Sequence, residues 1–107
     1  MATSKIQIHD LETSWHSLTK YGKYRVKDGW VFFYVLNSGS ESIGTGGVNI
    51  GTMPAELRPS ESMDFALTAM TGTSDTFARV NGNGTVVLFA NPATNYVSGS
   101  FSYPIGI

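Results

Sequence analysis

The chain has 107 residues, which suits one domain, and its formal net charge of −1 argues against a general nucleic-acid binder. It contains no cysteine, so disulfides and thiolate metal sites are excluded. No apolar run approaches the roughly 20 residues of a membrane helix, and Met1–Lys5 lacks the apolar core of a signal peptide. Charged residues make up only 14% of the chain, against about a quarter in an ordinary soluble domain. We therefore expect a ligand or another copy of the chain to cover part of the surface.

The first third of the sequence predicts strands around one hairpin. Lys5–His9 alternates polar and apolar residues, as a half-buried strand does. Asp10–Lys20 fits either a helical turn that begins at its first residue or an extended segment anchored by its tryptophan. Tyr24–Lys27 alternates again, and Asp28-Gly29 is a strong signal for a two-residue hairpin turn. Trp30–Leu36 is apolar throughout, which predicts a central strand covered on both faces or a strand at an interface.

The middle of the sequence predicts a loop, a corner and two strands. Asn37–Gly47 is rich in serine and glycine and is predicted to be a mobile loop. Val48–Ile50 resumes a strand. Pro54 and Pro59 bracket a segment that cannot continue a central ladder, so a corner is predicted there. Met63–Met70 alternates, and its odd-numbered residues are predicted to point inward.

The C-terminal part predicts a second hairpin and a closing strand. Asn81–Gly84 joins the strands Thr76–Val80 and Thr85–Ala90, because Asn and Gly suit the positive φ of hairpin turns. Tyr96–Tyr103 alternates, with its larger apolar residues on one face. Without any clear helix or internal repeat, the chain is predicted to be all-β, a compact antiparallel barrel or sandwich of about eight short strands.

The order of several motifs along the chain is more specific than any one of them. They are a segment that contains Trp15, the Tyr24–Gly29 hairpin with the apolar strand after it, Gly51–Pro54, Leu57–Ser60, and the Asn-Gly hairpin before the closing Ser100–Pro104. From Trp15 to Ile107 this order resembles the C-terminal head domain of receptor-binding proteins in tailed phages of Gram-positive bacteria, such as lactococcal and streptococcal phages.

The resemblance implies a compact antiparallel β barrel that forms a homotrimer at the baseplate or tail-fibre tip of a virion and is soluble as an isolated domain. It implies host adsorption by binding of bacterial cell-wall polysaccharide, including phosphate-bearing polymers, without catalysis and without a cofactor. Crevices lined by aromatic, His, Asp and Arg side chains would hold the sugar. Residues 1–14 are then expected to be a leading segment or the end of a linker, and residues 15–107 the head domain.

Two aromatic groups are candidate saccharide contacts, because sugars stack on rings and hydrogen-bond to nearby polar groups. The first is Trp15 with His16 and Asp10. Alternatively, Trp15 plugs one end of the barrel while its polar neighbours are solvated. The second is Trp30, which shares a strand face with two further aromatic residues. That face is a stacking platform, a subunit interface or plain core, and the frequent burial of aromatic residues favours core.

Two basic features are candidate anion contacts. Lys23, Arg25 and Lys27 share one face of a regular strand. They form either a stripe that attracts phosphopolysaccharide or the charged guard of a solvated or edge strand. Arg58 lies in the proline corner, where it either grips a phosphate or carboxylate or caps backbone carbonyls that the prolines leave unpaired.

Catalytic and metal-binding patterns are lacking. The sequence has neither G-x-S-x-G nor H-E-x-x-H, and no lysine follows its glycines as in a phosphate-binding loop. Its acidic residues are scattered without a pair suited to glycosidase chemistry. His9 and His16 are without a third ligand, so no metal site is predicted.

Two hypotheses follow. In the first, the chain is a non-catalytic saccharide-binding head, with a site lined by Trp15, His16, Arg25, Trp30 and Arg58. In the alternative, it is a structural module of the tail or baseplate that binds no glycan itself. The low charge content and the apolar Trp30–Leu36 segment fit both hypotheses.

Overall fold

The computed structural model describes residues 14–69 and 74–106. Within these residues, eight strands, all paired antiparallel, form one curled, half-barrel sheet. The strands are β1 His16–Ser17, β2 Gly22–Lys27, β3 Trp30–Ile43, β4 Val48–Thr52, β5 Met63–Ala69, β6 Asp75–Val80, β7 Thr85–Asn91 and β8 Thr94–Pro104, with a 3-10 turn at Ala55–Leu57. The predicted all-β class is therefore confirmed, although β3 and β8 are longer than the short strands expected.

The order of strands across the sheet is β1-β2-β3-β8-β5-β6-β7-β4, so the long β3–β8 pair joins the two halves of the chain. The sheet curls until its two edges approach each other. The Lys20 amide, in the connection between β1 and β2, donates to the Ile50 carbonyl of β4 at 3.1 Å. Leu18 fits against Gly51, where an added Cβ would crowd it. This contact encloses the core on the concave side of the sheet.

The core is built from alternate residues of each strand, whose side chains face inward. Phe33 stacks on Phe101 at a centroid distance of 4.7 Å, and Phe101 stacks on Phe65 at 4.5 Å, which links three neighbouring strands. The fully or almost fully buried side chains around them are mostly aliphatic: Val26, Val31, Val35, Ile43, Ile50, Met53, Leu57, Val80, Val86, Leu88 and Val97. As predicted for Met63–Met70, the odd-numbered residues of β5 are the more buried ones.

The hairpin and corner predictions agree with the structure. Asp28 and Gly29 have φ angles of 53° and 81°, as a two-residue turn of the primed type requires. The second hairpin turn lies between β6 and β7, where it was predicted. The corner after β4 contains the 3-10 turn, and its Leu57 is buried. The hydroxyl of Tyr103 donates a short hydrogen bond to the Leu57 carbonyl, which ties this corner to β8.

The predicted mobile loop at Asn37–Gly47 is wrong for most of its length. Strand β3 continues to Ile43 and stays paired with β8, with an irregularity between Ser38 and Ile43. The Asn37 side chain is fully buried and fills this irregularity, since its Nδ2 donates to the Glu41 carbonyl at 2.7 Å and its Oδ1 accepts from the Ser40 amide at 3.2 Å. Two backbone groups of the irregular segment, the Glu41 carbonyl and the Ser40 amide, are thereby hydrogen-bonded within the sheet.

The N-terminal predictions are met only in part by described residues. His16–Ser17 is extended and pairs with β2, as the extended alternative for Asp10–Lys20 requires. The predicted strand Lys5–His9 and the predicted helical turn at Asp10 lie outside the described residues.

We expect Tyr103→Phe to destabilise the fold by about 1–2 kcal/mol, because the Leu57 carbonyl would lose its buried donor. Urea unfolding at neutral pH would measure this loss. Tyr96→Phe is the matched control, since the Tyr96 hydroxyl makes no hydrogen bond among the described residues, and it should change the stability little. Equal midpoints for both variants would contradict a stabilising role for the Tyr103 bond.

Stability should also fall at alkaline pH. Burial raises the pKa of Tyr103 above its ordinary value. In the unfolded chain a tyrosine ionises near about pH 10. Above that pH the unfolded state loses a proton that the folded state keeps, so the folded state loses up to about 1.4 kcal/mol per pH unit. Unfolding between about pH 9 and 11 should show a shallower decline for Tyr103→Phe than for Tyr96→Phe. Parallel declines would contradict it.

Candidate functional site

A column of large apolar side chains lies on the outer face of β3. Trp30, Phe32, Tyr34 and Leu36, here called the apolar column, are each between 38% and 43% exposed, while the residues between them are buried. Period-two alternation produces this split. The prediction that Trp30–Leu36 is covered on both faces, and the plain-core interpretation of its aromatic residues, are therefore wrong for the single chain. Contiguous exposed apolar side chains mark interaction sites more often than scattered ones do.

A column of cations lies beside the apolar column. The outer-facing residues of β2 are Lys23, Arg25 and Lys27, here called the cationic column. The β2–β3 register places one cation opposite each ring, in the pairs Lys23–Tyr34, Arg25–Phe32 and Lys27–Trp30. Directly paired residues on one face of a sheet are in contact range. The outer face therefore presents rings and positive charges side by side.

The serines of β8 lie on the other side of the apolar column. Ser100 pairs with Tyr34 and Ser102 with Phe32 in the β3–β8 register. Together with the cationic column, Trp15, and Phe32 and Tyr34 of the apolar column, they line a groove of about 680 Å³. This volume is within the roughly 300–1,000 Å³ of small-ligand sites. Apolar walls with a few cations and hydroxyls can hold a ligand that has both C–H faces and polar groups.

Trp15, immediately before β1, contacts the cationic column on the side away from the apolar column. The Lys23 ammonium is 5.0 Å from the centre of the Trp15 ring, and the Arg25 guanidinium carbon is 5.7 Å from it. The same ammonium is 5.5 Å from the Tyr34 ring. These distances are within the range of about 6 Å for cation–π attraction. Trp15 is itself 43% exposed, so this arrangement is open to solvent.

The cationic column has no acidic partner among the described side chains. Lys20 pairs with Glu41 at 2.9 Å, and together with the Tyr21 hydroxyl it holds the pKa of Glu41 below its ordinary value. No ion pair between described side chains involves the three cations of β2. The Nε of Arg25 is buried and has no hydrogen-bond partner among the described residues. The described residues of the groove therefore carry positive charge and an unsatisfied donor.

Another cation lies on aromatic rings on the outer face of β6 and β7, and it differs from Lys23 and Arg25 in having an acidic partner among the described side chains. The Arg79 guanidinium is 5.5 Å from the Phe77 ring and 5.3 Å from the Phe89 ring. Asp64 accepts from its Nε at 2.7 Å and from its Nη2 at 3.1 Å. The Asp64 carboxylate raises the pKa of Arg79, and the Arg79 guanidinium holds the pKa of Asp64 below its ordinary value. Arg79 thus has a carboxylate partner, which Arg25 lacks among the described residues.

The structure brings two of the predicted site residues together. Trp15 and Arg25 both line the groove. Trp30 lies on the same outer face beside Lys27 but does not line the groove. His16 follows Trp15 and so points to the opposite face, where it stacks on Tyr24 at 5.4 Å.

Of the remaining two candidates, one lies outside the groove and the other outside the described residues. Arg58 is in the corner after β4, where its Nε donates to the Met53 carbonyl at 2.9 Å and its side chain fills the space that Gly84 leaves. This is the contact that the carbonyl-capping interpretation predicted. Asp10 lies outside the described residues.

The serines of the groove were not among the predicted site residues. Ser98, Ser100 and Ser102 alternate with core residues of β8, which is a period-two polar face. That pattern is visible in the sequence, but it does not reveal that β8 lies beside the apolar column. The strand pairing supplies this information.

Residues 14–69 and 74–106 contain neither a cluster of metal-binding side chains nor a helix suited to span a membrane. No group of three or more His, Cys, Asp or Glu side chains there could hold a metal ion. No helix in the same part of the chain is long and apolar enough to cross a membrane.

Comparison with known proteins identifies the fold. No protein-family model matches the sequence, and no curated protein matches it. Among solved structures, the head domain of the lactococcal phage bIL170, described as a receptor-binding domain, aligns with a TM-score of 0.60. The alignment covers 86% of this chain and 97% of that one, at 16% sequence identity. The predicted resemblance is thus confirmed at the level of the fold, the phage receptor-binding head fold.

Arg58→Gln should destabilise the protein by about 1–2 kcal/mol, because a charge-assisted hydrogen bond to the Met53 carbonyl would be lost. Thermal or urea unfolding would measure the change. Arg79→Gln is the matched control, since it removes an exposed ion pair, whose contribution is at most about 1 kcal/mol. A variant at position 58 with unchanged stability and reduced binding to bacterial cells would instead make Arg58 a ligand contact.

Proposed function

We propose that this domain is the host-adsorption head of a phage tail or baseplate protein, and that it binds a cell-wall saccharide in the groove without catalysis. The observation that carries the proposal is the exposed apolar column with a cation beside each ring, where none of these cations forms an ion pair with a described side chain. The fold shared with the bIL170 head domain supports the adsorption role, because that protein is described as a receptor-binding domain.

The chemistry of the groove suits a sugar better than a purely apolar ligand. A pyranose has C–H faces that stack on aromatic rings and hydroxyls that need hydrogen-bonding partners. Phe32 supplies an exposed ring in the groove, with Arg25 on one side and Ser102 on the other. A sugar stacked on this ring would have a donor-rich cation and a hydroxyl within reach of its edges.

The charge of the groove favours wall polysaccharide that carries anionic groups, including phosphate-bearing polymers. Positive potential raises both the local concentration and the association rate of anionic ligands. Trp30 lies next in the apolar column and is proposed to extend the contact along the polymer. His16 and Arg58 stay predictions as saccharide contacts.

Assembly and location are part of the proposal. Residues 15–107 form the head and residues 1–14 lead into it, and the head acts as a homotrimer at the tail tip of a virion. A single small sugar offers little contact area, so binding by one site is weak. Three linked sites raise the avidity through effective concentration. The low content of charged residues, 14%, is consistent with a surface that is partly covered in the assembly.

The alternative, a structural module without glycan binding, has one observation in its favour. Four neighbouring side chains of the apolar column are exposed, and a subunit interface would cover them. The cations beside them argue against two identical copies meeting face to face through this surface, because like charges would be opposed.

Phe32→Ala should weaken binding to intact Gram-positive cells and to extracted wall polysaccharide by about tenfold, which corresponds to roughly 1.4 kcal/mol for one lost stacking contact. The matched control is Leu36→Ala, which removes an equally exposed apolar side chain of the same column outside the groove. It should change binding less than about twofold. Both variants should keep the wild-type unfolding midpoint, since both side chains are exposed.

Light scattering on the same samples separates the two hypotheses. Saturable polysaccharide binding that Phe32→Ala weakens, with unchanged mass, supports adsorption through the groove. If no polysaccharide in a broad panel binds, and both variants reduce the mass of the protein assembly, the structural-module hypothesis is correct and the proposed adsorption role is wrong.

A further inference from the structure

We infer that Lys23 and Arg25, held together on the ring of Trp15, form an oxyanion subsite in the groove, and that Trp15 positions these cations instead of stacking the sugar. The inference rests on the proposed function, because it specifies which chemical group of the saccharide the groove reads. That group is an oxyanion, a phosphate or a carboxylate, and the sugar that carries it stacks elsewhere in the groove.

The first argument is the position of the two cations. Both lie within 6 Å of the same indole ring, at 5.0 Å for Lys23 and 5.7 Å for Arg25. Two like charges gathered on one ring repel each other, and the negative face of the ring offsets this repulsion only in part. An anion placed between them would be attracted by both. The arrangement is therefore preorganised for a negatively charged group.

The second argument is the matching cluster elsewhere in the same molecule. Arg79 also lies over aromatic rings, and there the Asp64 carboxylate completes the cluster with two hydrogen bonds, one of them to Nε. Among the described residues, the Arg25 cluster lacks such a carboxylate, and its buried Nε has no hydrogen-bond partner. A buried donor on a charged group is costly to leave unsatisfied. Asp64 thus shows which kind of group the Arg25 cluster lacks.

The third argument is the division of the rings in the groove. One face of the Trp15 ring and one face of the Tyr34 ring are engaged by the Lys23 ammonium. A neutral sugar would have to displace this cation before it could stack on either of these two faces. No described cation lies over the Phe32 ring, which therefore remains open for stacking. The groove should consequently bind a sugar that bears an oxyanion in preference to its neutral counterpart.

The test uses nuclear magnetic resonance of the full 15N-labelled chain, with inorganic phosphate as the probe. The chain has two tryptophans, so the two indole N–H signals report on Trp15 in the subsite and on Trp30 as an internal reference. Trp30→Phe assigns them. Phosphate added against sodium chloride at equal ionic strength should shift the Trp15 signal saturably and leave the Trp30 signal nearly unmoved. Equal movement of both signals would mean diffuse screening and would overturn the subsite.

Two charge variants test the cations. Lys23→Gln and Arg25→Gln should each weaken phosphate binding at least fivefold. Arg79→Gln removes the same charge from a cluster that its own carboxylate completes, and it should leave phosphate binding unchanged. If Arg79→Gln weakens binding as much as Arg25→Gln does, net charge and not a subsite is responsible. Repeating the titration with acetate shows whether a carboxylate is accepted as well as a phosphate.

Two variants test the positioning role of Trp15. Because they lack the Trp15 indole signal, phosphate binding is followed by the Arg25 Nε–H signal. Trp15→Phe keeps a ring under the cations and should bind phosphate more tightly than Trp15→Leu, which removes the ring. Equal affinities for the two would contradict the positioning role. Glycerol 3-phosphate should bind at least fivefold more tightly than glycerol to the wild type, and Trp15→Leu should reduce this difference.

The outcomes also separate this inference from the proposed function. Binding to wall polysaccharide without a phosphate response at Trp15 would leave adsorption standing and overturn the subsite. A saturable phosphate response without binding to any cell or polysaccharide would do the reverse.

Discussion

The antiparallel register of β2, β3 and β8 is the constraint on which both the core and the groove depend. Along β3 the odd-numbered residues Val31, Phe33 and Val35 are buried, and the even-numbered ones form the apolar column. Because the side chains of a strand alternate, a slip of one residue would exchange these two sets. The stacked rings of the core would then face solvent, and the cations opposite the apolar column would be misplaced. The same pairing therefore determines both the core and the residues that line the groove.

Local turn geometry fixes this register at one end of the sheet. The two turn residues Asp28 and Gly29 both adopt positive φ, which matches the twist of a two-residue hairpin. The Ile105 amide donates to the Gly29 carbonyl at 2.8 Å, so the end of β8 is aligned on the same turn. Farther along, the stack of Phe33, Phe101 and Phe65 locks three strands by packing. A turn that only a few residues favour thus determines which side chains reach the groove.

The sequence was sufficient for features that depend on neighbouring residues. The hairpin at Asp28-Gly29, the proline corner and the all-β class were predicted from local turn chemistry and alternation. The extension of β3 through Asn37 to Ile43 was missed because its partner, β8, is more distant in the sequence than local patterns reach. Polar composition predicted a loop there, and a long-range pairing outweighed it.

The groove could not be predicted from the sequence for the same reason, since it also depends on strand pairing. The composition of Trp30–Leu36 reveals an apolar strand, but an unbroken apolar run does not tell which face a single chain leaves open. Trp15 and His16 were grouped because they are adjacent, yet alternation sends them to opposite faces. The sequence left two roles open for Arg58, and it could not show that its Nε donates to the Met53 carbonyl. Residue types suggested the chemistry, and strand pairing determined which of them meet.

The exposed rings and the cations beside them have opposite effects on self-association. An open apolar face on a sheet promotes self-association, and charged side chains are one means by which natural sheets limit it. Here the charges are placed one beside each ring, so two copies that met face to face through this surface would oppose like charges. The anionic saccharide proposed above would meet no such barrier and would contact both columns. Under the proposed function, the same charges would therefore disfavour self-pairing through this face and favour the ligand.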